Sequence, residues 1–294
     1  MNLIVNLNKP KGITSQQAVT KVRKIMGAKK AGHAGTLDPL ATGVLLICLC
    51  EATKITRFLM DNDKEYRATM KLGERTDTLD AEGTITETRS VPALSAHDIA
   101  EAVQGFVGNI VQRPPMYSAL KHQGKPLYEL ARQGLVVERP ERPIEIHHIE
   151  ITCVDLPYIS LAISCSKGTY VRTLCDDLGV RLGTVAHLVS LERTKTGKFT
   201  VERAAQIDQL TSPVIEARSY PFIHSLDNAL SEFNEILLSE DDYMKAKNGV
   251  PICIENLQEI PACPFIRLKS PSGKLFGIGR TENAHIAVER IFNV

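Results

Sequence analysis

The first carboxylate in the chain is Asp38, set in the stretch GHAGTLDPLATGVLL among glycines, beside a proline and ahead of a solid apolar run. A carboxylate can attack carbon as a nucleophile or take a proton as a base, and in both roles it must be ionised. Read locally, an aspartate beside Gly and Pro is a turn former whose side chain bonds nearby backbone. The same small neighbours also let a bulky ligand approach the backbone closely. Ahead of Asp38 stand seven basic residues (Lys9, Lys11, Lys21, Arg23, Lys24, Lys29 and Lys30) and no acid. One anion therefore sits at the edge of a cationic field, which is either a solvated face or a surface for a polyanion. The next candidate carboxylates, Asp77 and Asp80, fall in the turn RTDTLDAEG, and paired carboxylates at an anomeric carbon would be glycosidase or nucleosidase chemistry.

Several elements must hold Asp38. LIVNLNKPKG alternates and then breaks at Pro10 and Gly12, so it reads as a strand and turn. A helix is predicted from Thr14 to Met26, with Thr14 and Gln17 as a capping box, Gly27 as the stop, and Ala18, Val19, Val22, Ile25 and Met26 on one face. Val44 to Leu49 reads as a buried strand; KEYRATMKLG reads as a half-buried one, with Tyr66, Ala68, Met70 and Leu72 on one side. AEGTITET is a further strand, SAHDIAEAVQGF a capped helix, and QRPPMYSALKHQGKPLYELARQG a Pro-punctuated excursion with a short helix near Leu127 to Arg132. PIEIHHIEITCVD and ISLAISCSKG alternate as adjacent strands, and Val171, Leu174, Cys175, Leu178 and Leu182 recur at helical spacing after them. Strand runs broken by isolated helices favour an α+β fold with a mixed sheet over a doubly wound one. The last sixty or so residues read as a small, separate β-rich module.

Composition fits an ordinary globular protein of one large or two unequal domains: 294 residues, 43% hydrophobic and 23% charged, with a net charge of only +1. No apolar run is long enough for a bilayer and the N-terminus carries no export signal, so a cytoplasmic protein is expected. The seven cysteines lack CxxC spacing. Cys48, Cys153, Cys165, Cys175 and Cys253 lie among apolar neighbours and are expected to be buried reduced thiols rather than a disulfide framework or a zinc site. No GxGxxG or GxxxxGK[ST] fingerprint occurs, and neither a cofactor nor a metal is expected.

GHAGTLDPLATGVL resembles, almost position for position, the signature of the TruB family of tRNA pseudouridine synthases. Further blocks resemble that family in the same order: LNKPKGITS, KEYRATMKLGERTDTLDAEG, RPPMYSALKHQGKPLYELARQG and SCSKGTYVRTLCDDLG. The resemblance implies a pseudouridine synthase fold with a central, mainly antiparallel sheet flanked by helices. It implies a catalytic domain over 1–232 with the family's insertion near 109–142, and a C-terminal module over 233–294 that resembles the RNA-binding PUA β barrel. The implied reaction is redox-neutral isomerisation of uridine 55 in the T loop of tRNA by a stand-alone, monomeric enzyme that needs no protein partner.

By the same resemblance Asp38 is the catalytic aspartate, Arg172 its guanidinium partner and Tyr66 the active-site tyrosine. His33 would enter the RNA loop as the target base is flipped out, with Tyr170 and Leu191 lining the uracil pocket. Read without it, Arg172 is a surface i,i+4 partner of Asp176, Tyr66 and Leu191 are core residues, His33 sits in a surface turn and Tyr170 starts a helix. Lys9, Lys21, Lys24, Lys29 and Lys30, with Arg113, Lys121 and Lys125 in the insertion, are expected to contact phosphates of the T arm. The chain departs from the family at LERTKTGKF, where Glu192 replaces a second basic residue and Lys198 a proline, which bears on a local RNA contact. Two further readings stand beside this one: a guide-RNA-dependent synthase of the dyskerin type, and an RNA-binding folding factor.

Overall fold

A capping box starts the first helix in the computed structural model, which describes residues 2–210, 220–253, 264–282 and 285–293. Strand β1 (Leu3–Lys9) turns at Gly12, and helix α1 (Ser15–Ile25) follows with Thr14 as N-cap. The Gln17 amide donates to Thr14 Oγ1 at 3.1 Å and the Thr14 amide to Gln17 Oε1 at 2.8 Å. Ala18, Val19 and Val22 face inward as expected. Ile25 does not: it is exposed in the last turn, and Met26 after it takes the buried place.

The large sheet contains β1, β2 (Ala31–Ala34), β3 (Thr42–Leu49) and β4 (Lys64–Leu72). Next in the chain are the hairpin β5 (Glu74–Thr76) and β6 (Ile85–Thr88), helix α3 (Ala96–Gln104) capped by Ser95, and β7 (Gly108–Gln112). Helix α2 (Thr56–Met60) has preceded them. A second small hairpin, β8 (Lys121–His122) and β9 (Lys125–Pro126), leads into α4 (Leu127–Arg132), the short helix expected inside the excursion. Then come β10 (Arg142–Asp155), β11 (Tyr158–Cys165), α5 (Val171–Arg181), β12 (Ala186–Thr196), β13 (Phe199–Thr200) and β14 (Ile223–Ser225).

The main strand order is β14-β1-β3-β12-β4-β11-β10-β7, antiparallel throughout except for the parallel pair β3–β12. The α+β class and the mixed, mainly antiparallel sheet are thus as expected. One face of the sheet packs Leu7, Leu45, Met70 and Ile163 against α1, α3 and α5. On the other face Ile4, Val44, Leu46 and Cys48 pack with Phe58 of α2 and with Leu275, Ile278 and Phe292 from the C-terminal part of the chain. Strand β3 is therefore buried on both sides, which is why it reads as an unbroken apolar run.

Beyond β14 come α6 (Leu226–Ala229), β15 (Glu235–Leu237), α7 (Glu240–Lys247), β16 (Ile252–Cys253), β17 (Phe265–Lys269), β18 (Leu275–Glu282) and β19 (His285–Ile291). Strands β15-β17-β18-β19-β16 form a second sheet, curled into a half-barrel, with register shifts at Leu268/Lys269 and Ile278/Gly279. Such bulges add local twist and bend the strands that carry them. Cys153 and Cys253 are exposed rather than buried: Cys153 lies in the end of β10, where residues 152–155 are all exposed, and Cys253 follows the buried Ile252 on the opposite side of β16. Among the described residues, no helix is long and apolar enough to cross a membrane.

Candidate active site

Asp38 lies on the seven-residue connection from β2 to β3, and the N-terminal strand-turn-helix unit clamps that connection. Ser15, the first residue of α1, donates its hydroxyl to the Leu37 carbonyl at 2.9 Å and accepts from the Leu37 amide at 2.8 Å. The Gly12 amide donates to the Pro39 carbonyl at 2.8 Å, and the Ala41 amide to the Asp38 carbonyl at 3.1 Å. The local turn reading thus holds for the Asp38 backbone, while its side chain is left free to point elsewhere.

That side chain meets Arg172 in a two-pronged contact, Nε to Oδ2 at 2.9 Å and Nη2 to Oδ1 at 3.1 Å. Arg172 sits one residue into α5 and is only 4% exposed. Its remaining donors reach the Thr78 carbonyl at 2.9 Å and the Tyr117 carbonyl at 2.8 Å. The preceding Tyr170 is fixed at both backbone groups by the buried Gln112, whose amide donates to the Tyr170 carbonyl and accepts from its N–H. The i,i+4 alternative fails: Asp176 pairs with Arg75 at 2.6 Å instead.

A second carboxylate shares the guanidinium. Asp80 Oδ2 stands 3.7 Å from Arg172 Nε, buried in the RTDTLDAEG turn, where it accepts from Thr78 Oγ1 at 2.6 Å and from the Glu82 amide at 3.1 Å. Burial pushes the Asp38 carboxyl above its ordinary range; the Arg172 guanidinium opposes that by charge and hydrogen bond, Asp80 adds to it, and Lys9 opposes it. Asp80 does not line the cavity into which Asp38 opens, so the two carboxylates do not face a common reacting centre as a glycosidase pair would.

The cavity has a volume of about 340 Å³. Asp38, Tyr66, Tyr170, Arg172, Leu191 and Arg193 are among its lining residues. Tyr66 on β4 stands directly opposite Arg193 on β12 in the antiparallel register, with Leu191 two residues along on the same side. Burial raises the Tyr66 phenol pKa, and Arg193 opposes the rise. Five residues from four separate blocks of sequence (Asp38, Tyr66, Tyr170 with Arg172, and Leu191) therefore share one space. His33 does not line it. It lies on β2, half-buried, with Nδ1 unpartnered among the described residues and burial holding its pKa down.

The model of the TruB family pseudouridylate synthase N-terminal domain matches residues 23–171, and that of the tRNA pseudouridylate synthase B C-terminal domain matches 172–237. A tRNA pseudouridine synthase B from Hydrogenovibrio crunogenus is 42% identical over 293 residues, covering 99% of this chain and 94% of the relative. One from Haemophilus influenzae is 49% identical over 235 residues, 80% of this chain and 72% of the relative. The chain belongs to the TruB family of pseudouridylate synthases. Among solved structures, a chain of a Cbf5-Nop10-Gar1 complex superposes with a TM-score of 0.73 at 23% identity, over 98% of this chain and 84% of that one, which speaks for the fold.

Within this TruB-family site, one expected role is overturned. Lys9 is not a phosphate contact: it is 0% exposed, and its ammonium donates to the carbonyls of Pro10 at 2.9 Å, Ile13 at 2.8 Å and Pro39 at 3.4 Å. A lysine at the end of an inward-facing strand binds the turn carbonyls around it because it cannot reach water, and burial lowers its pKa to about 8. Lys21, Lys24, Lys29 and Lys30 are exposed along α1 and the turn after it. In the insertion Lys121 and Lys125 are exposed on the β8–β9 hairpin, and Arg113 pairs with Glu141 at 3.2 Å.

Three residues at the site are not singled out by the sequence: Asp80, which reads there only as a possible glycosidase carboxylate, Arg193 and Lys64. Arg193 stands two positions beyond Leu191, so strand periodicity alone places both on the same side. It is 1% exposed and donates to the carbonyls of Val44 at 2.7 Å, Gly35 at 3.1 Å and Thr36 at 3.4 Å, gripping both ends of the Asp38 connection. Gly43 makes room for it: a Cβ there would lie 2.2 Å from the Arg193 carbonyl oxygen. Lys64, 6% exposed at the start of β4, is a third cation lining the cavity beside Arg172 and Arg193.

Proposed function

We propose that this enzyme isomerises uridine 55 in the T loop of tRNA to pseudouridine, with Asp38 as the reacting carboxylate. One observation carries the reading: an aspartate forked by a buried arginine opens into a cavity that also presents Tyr66, Tyr170 and Leu191. The cavity is of a size to take a flipped pyrimidine nucleoside and is partly apolar and aromatic, as a base requires. In each route open to a carboxylate, addition to C1′, addition to C6 or removal of the C2′ proton, Asp38 reacts as the anion. Arg172 holds it so against the cost of enclosure. Tyr66 stacks on the uracil with its phenol near C5, and Tyr170 and Leu191 complete the pocket walls. Stacking on an aromatic face contributes roughly 1 to 3 kcal/mol per base, which offsets much of the cost of unstacking. His33, outside the cavity, is assigned to the RNA side, where it occupies space left in the T loop by the extruded base.

The exposed lysines Lys21, Lys24, Lys29 and Lys30 form one cationic face for T-arm phosphates, and Lys121, Lys125 and Arg113 a second on the insertion. Residues 1–232 act as the catalytic domain and 233–294 as an RNA-binding module, in a monomer that works in the cytoplasm without a guide RNA or protein partner. The reading is tested by tritium release from T-arm RNA labelled at C5 of the target uridine, using the isolated chain. Wild type should release tritium and Asp38→Asn should not; turnover by Asp38→Asn at the wild-type rate would refute the assignment. A folding factor would keep its effect on tRNA maturation in Asp38→Asn, and a guide-dependent enzyme would be inert on bare tRNA.

A further inference from the structure

The cations that line the cavity are of two kinds. Arg172 is matched by carboxylates, Asp38 at 2.9 Å and Asp80 at 3.7 Å. Lys64 and Arg193 are equally buried, yet among the described residues neither forms an ion pair, and both bond only to neutral groups. Lys64 donates to the Met60 carbonyl at 2.5 Å and to the Asn62 carbonyl. An ammonium has three N–H groups and a guanidinium five, so each keeps donors beyond those bonds. The carboxylates nearest Lys64 in the chain are engaged elsewhere, Asp61 with Lys167 at 2.7 Å, Asp63 with His147 at 3.2 Å and Glu65 with Lys195 at 2.9 Å. Burial pushes the Lys64 ammonium down to about 8 and the Arg193 charge pushes the same way, while Cys165 and, more weakly, Asp61 and Asp63 oppose them without pairing with it. A buried cation without an anion is costly, and two of them on one cavity make a site that favours whatever negative charge appears there.

We propose that Lys64 and Arg193 form an electrostatic floor that takes up the negative charge of the detached uracil and holds the base in the cavity while it turns. The inference rests on the function proposed above. When the C1′–N1 bond breaks, its electron pair stays with the base and spreads over N1 and the two carbonyl oxygens. When the C5–C1′ bond forms, the base returns a pair to C1′; the C5 proton is then released to water while N1, freed from the sugar, takes one up, so the product is an isomer of the substrate. The charge therefore exists only between the two bond changes, and cations that meet it there stabilise the intermediate more than the bound uridine. Arg193 also clamps the Asp38 connection, so Lys64, whose bonds reach only Met60 and Asn62, is the residue to change.

The test uses the full chain loaded with T-arm RNA that is abasic at the target position. It is titrated with 5-nitrouracil, an anion at neutral pH, and with uracil, which is neutral. Wild type should bind the anionic base about tenfold or more tightly than uracil, a difference of about 1.4 kcal/mol. Lys64→Met should lose that preference and Lys64→Arg should keep most of it, while affinity for intact T-arm RNA stays within about twofold in both. Absence of the preference in wild type, or its survival in a folded Lys64→Met, would overturn the proposal. Tritium release by wild type tests the underlying function separately, since failure there would remove the reaction whatever the base titration gave.

Discussion

Replacing Arg172 by Met should move the acid limb of the pH–rate profile upward. In the proposed reaction Asp38 acts as an anion, and burial already lifts its pKa; Arg172, at 2.9 and 3.1 Å, is the largest influence holding it down. Unit charges about 4 Å apart attract by about 4 kcal/mol at an effective dielectric constant near 20. At about 1.4 kcal/mol per unit that is an upper bound of about 3 pKa units. The Asp38 side chain is 34% exposed and screening takes part of this, so a rise of about 1 to 3 units is expected. The sign follows directly: losing the cation disfavours the carboxylate, so a higher pH is needed to reach the same ionised fraction.

Single-turnover tritium release, followed from acid pH to the alkaline side of the wild-type limb, reads the shift. The variant's rate should fall about tenfold for each pH unit below its new limb and recover, in part, above it. Asp80→Asn must move the limb the other way, because it removes a like charge that raises the Asp38 pKa while an amide oxygen can still accept from Thr78 and the Glu82 amide. Breaking a buried pair commonly costs about 3 to 5 kcal/mol of stability, so melting curves must accompany the rates. A loss in folded Arg172→Met that is uniform across pH, with an unmoved limb, would refute the electrostatic role.

Other expectations follow from the same contacts. Burial and Asp176 raise Asp177 from 3.8 to about 6, so the folded state binds this proton more tightly than the unfolded chain. The stability penalty is absent below about pH 4, grows as pH rises to about 6 and persists above; Asp177→Asn should therefore stabilise by about 1 to 2 kcal/mol at pH 7.5, after discounting for partial exposure, and by nothing near pH 3.5, as denaturant melts would show. Gly43→Ala combines a left-handed φ of 101° with a Cβ pressed on the Arg193 backbone. At about 1 to 2 kcal/mol for the first and about 1 to 3 for the second, thermal unfolding should register a loss of about 2 to 5 kcal/mol; an unchanged melt would mean β3 and β12 are not joined here. Lys29 and Lys30 changed together to Ala should reduce the slope of log affinity for tRNA against log salt by about 1 to 2, and an unaltered slope would remove them from the phosphate contacts.

What could be read along the chain was what local physics decides. The Thr14–Gln17 box, the alternation in Lys64–Leu72 and the short helix Leu127–Arg132 each depend on neighbours within a few residues, and each forms where expected. The pairing of Arg172 with Asp38 spans 134 residues and came from family resemblance alone; local rules favoured Asp176. A run of basic residues reveals charge but not depth, so Lys9 was grouped with its exposed neighbours although strand β1 carries it inside. Arg193 could have been found by following the strand two steps past Leu191, but its importance lies in the parallel contact with Gly43, which only the sheet order brings about.

These long-range contacts divide the labour of the site. In the proposed reaction Arg172 is needed before any chemistry, because without it the enclosed Asp38 is more readily protonated; Arg172 is already paired in the structure, and Asp80 stands beside it without lining the cavity. A cation that must act later cannot already be paired, since a resident carboxylate would compete with the charge that appears on the base. Lys64 and Arg193 are held by backbone carbonyls, which fix their positions without neutralising them. The same fold thus meets the two opposed requirements of the proposed reaction within one cavity, by placing carboxylates beside one cation and carbonyls beside the others.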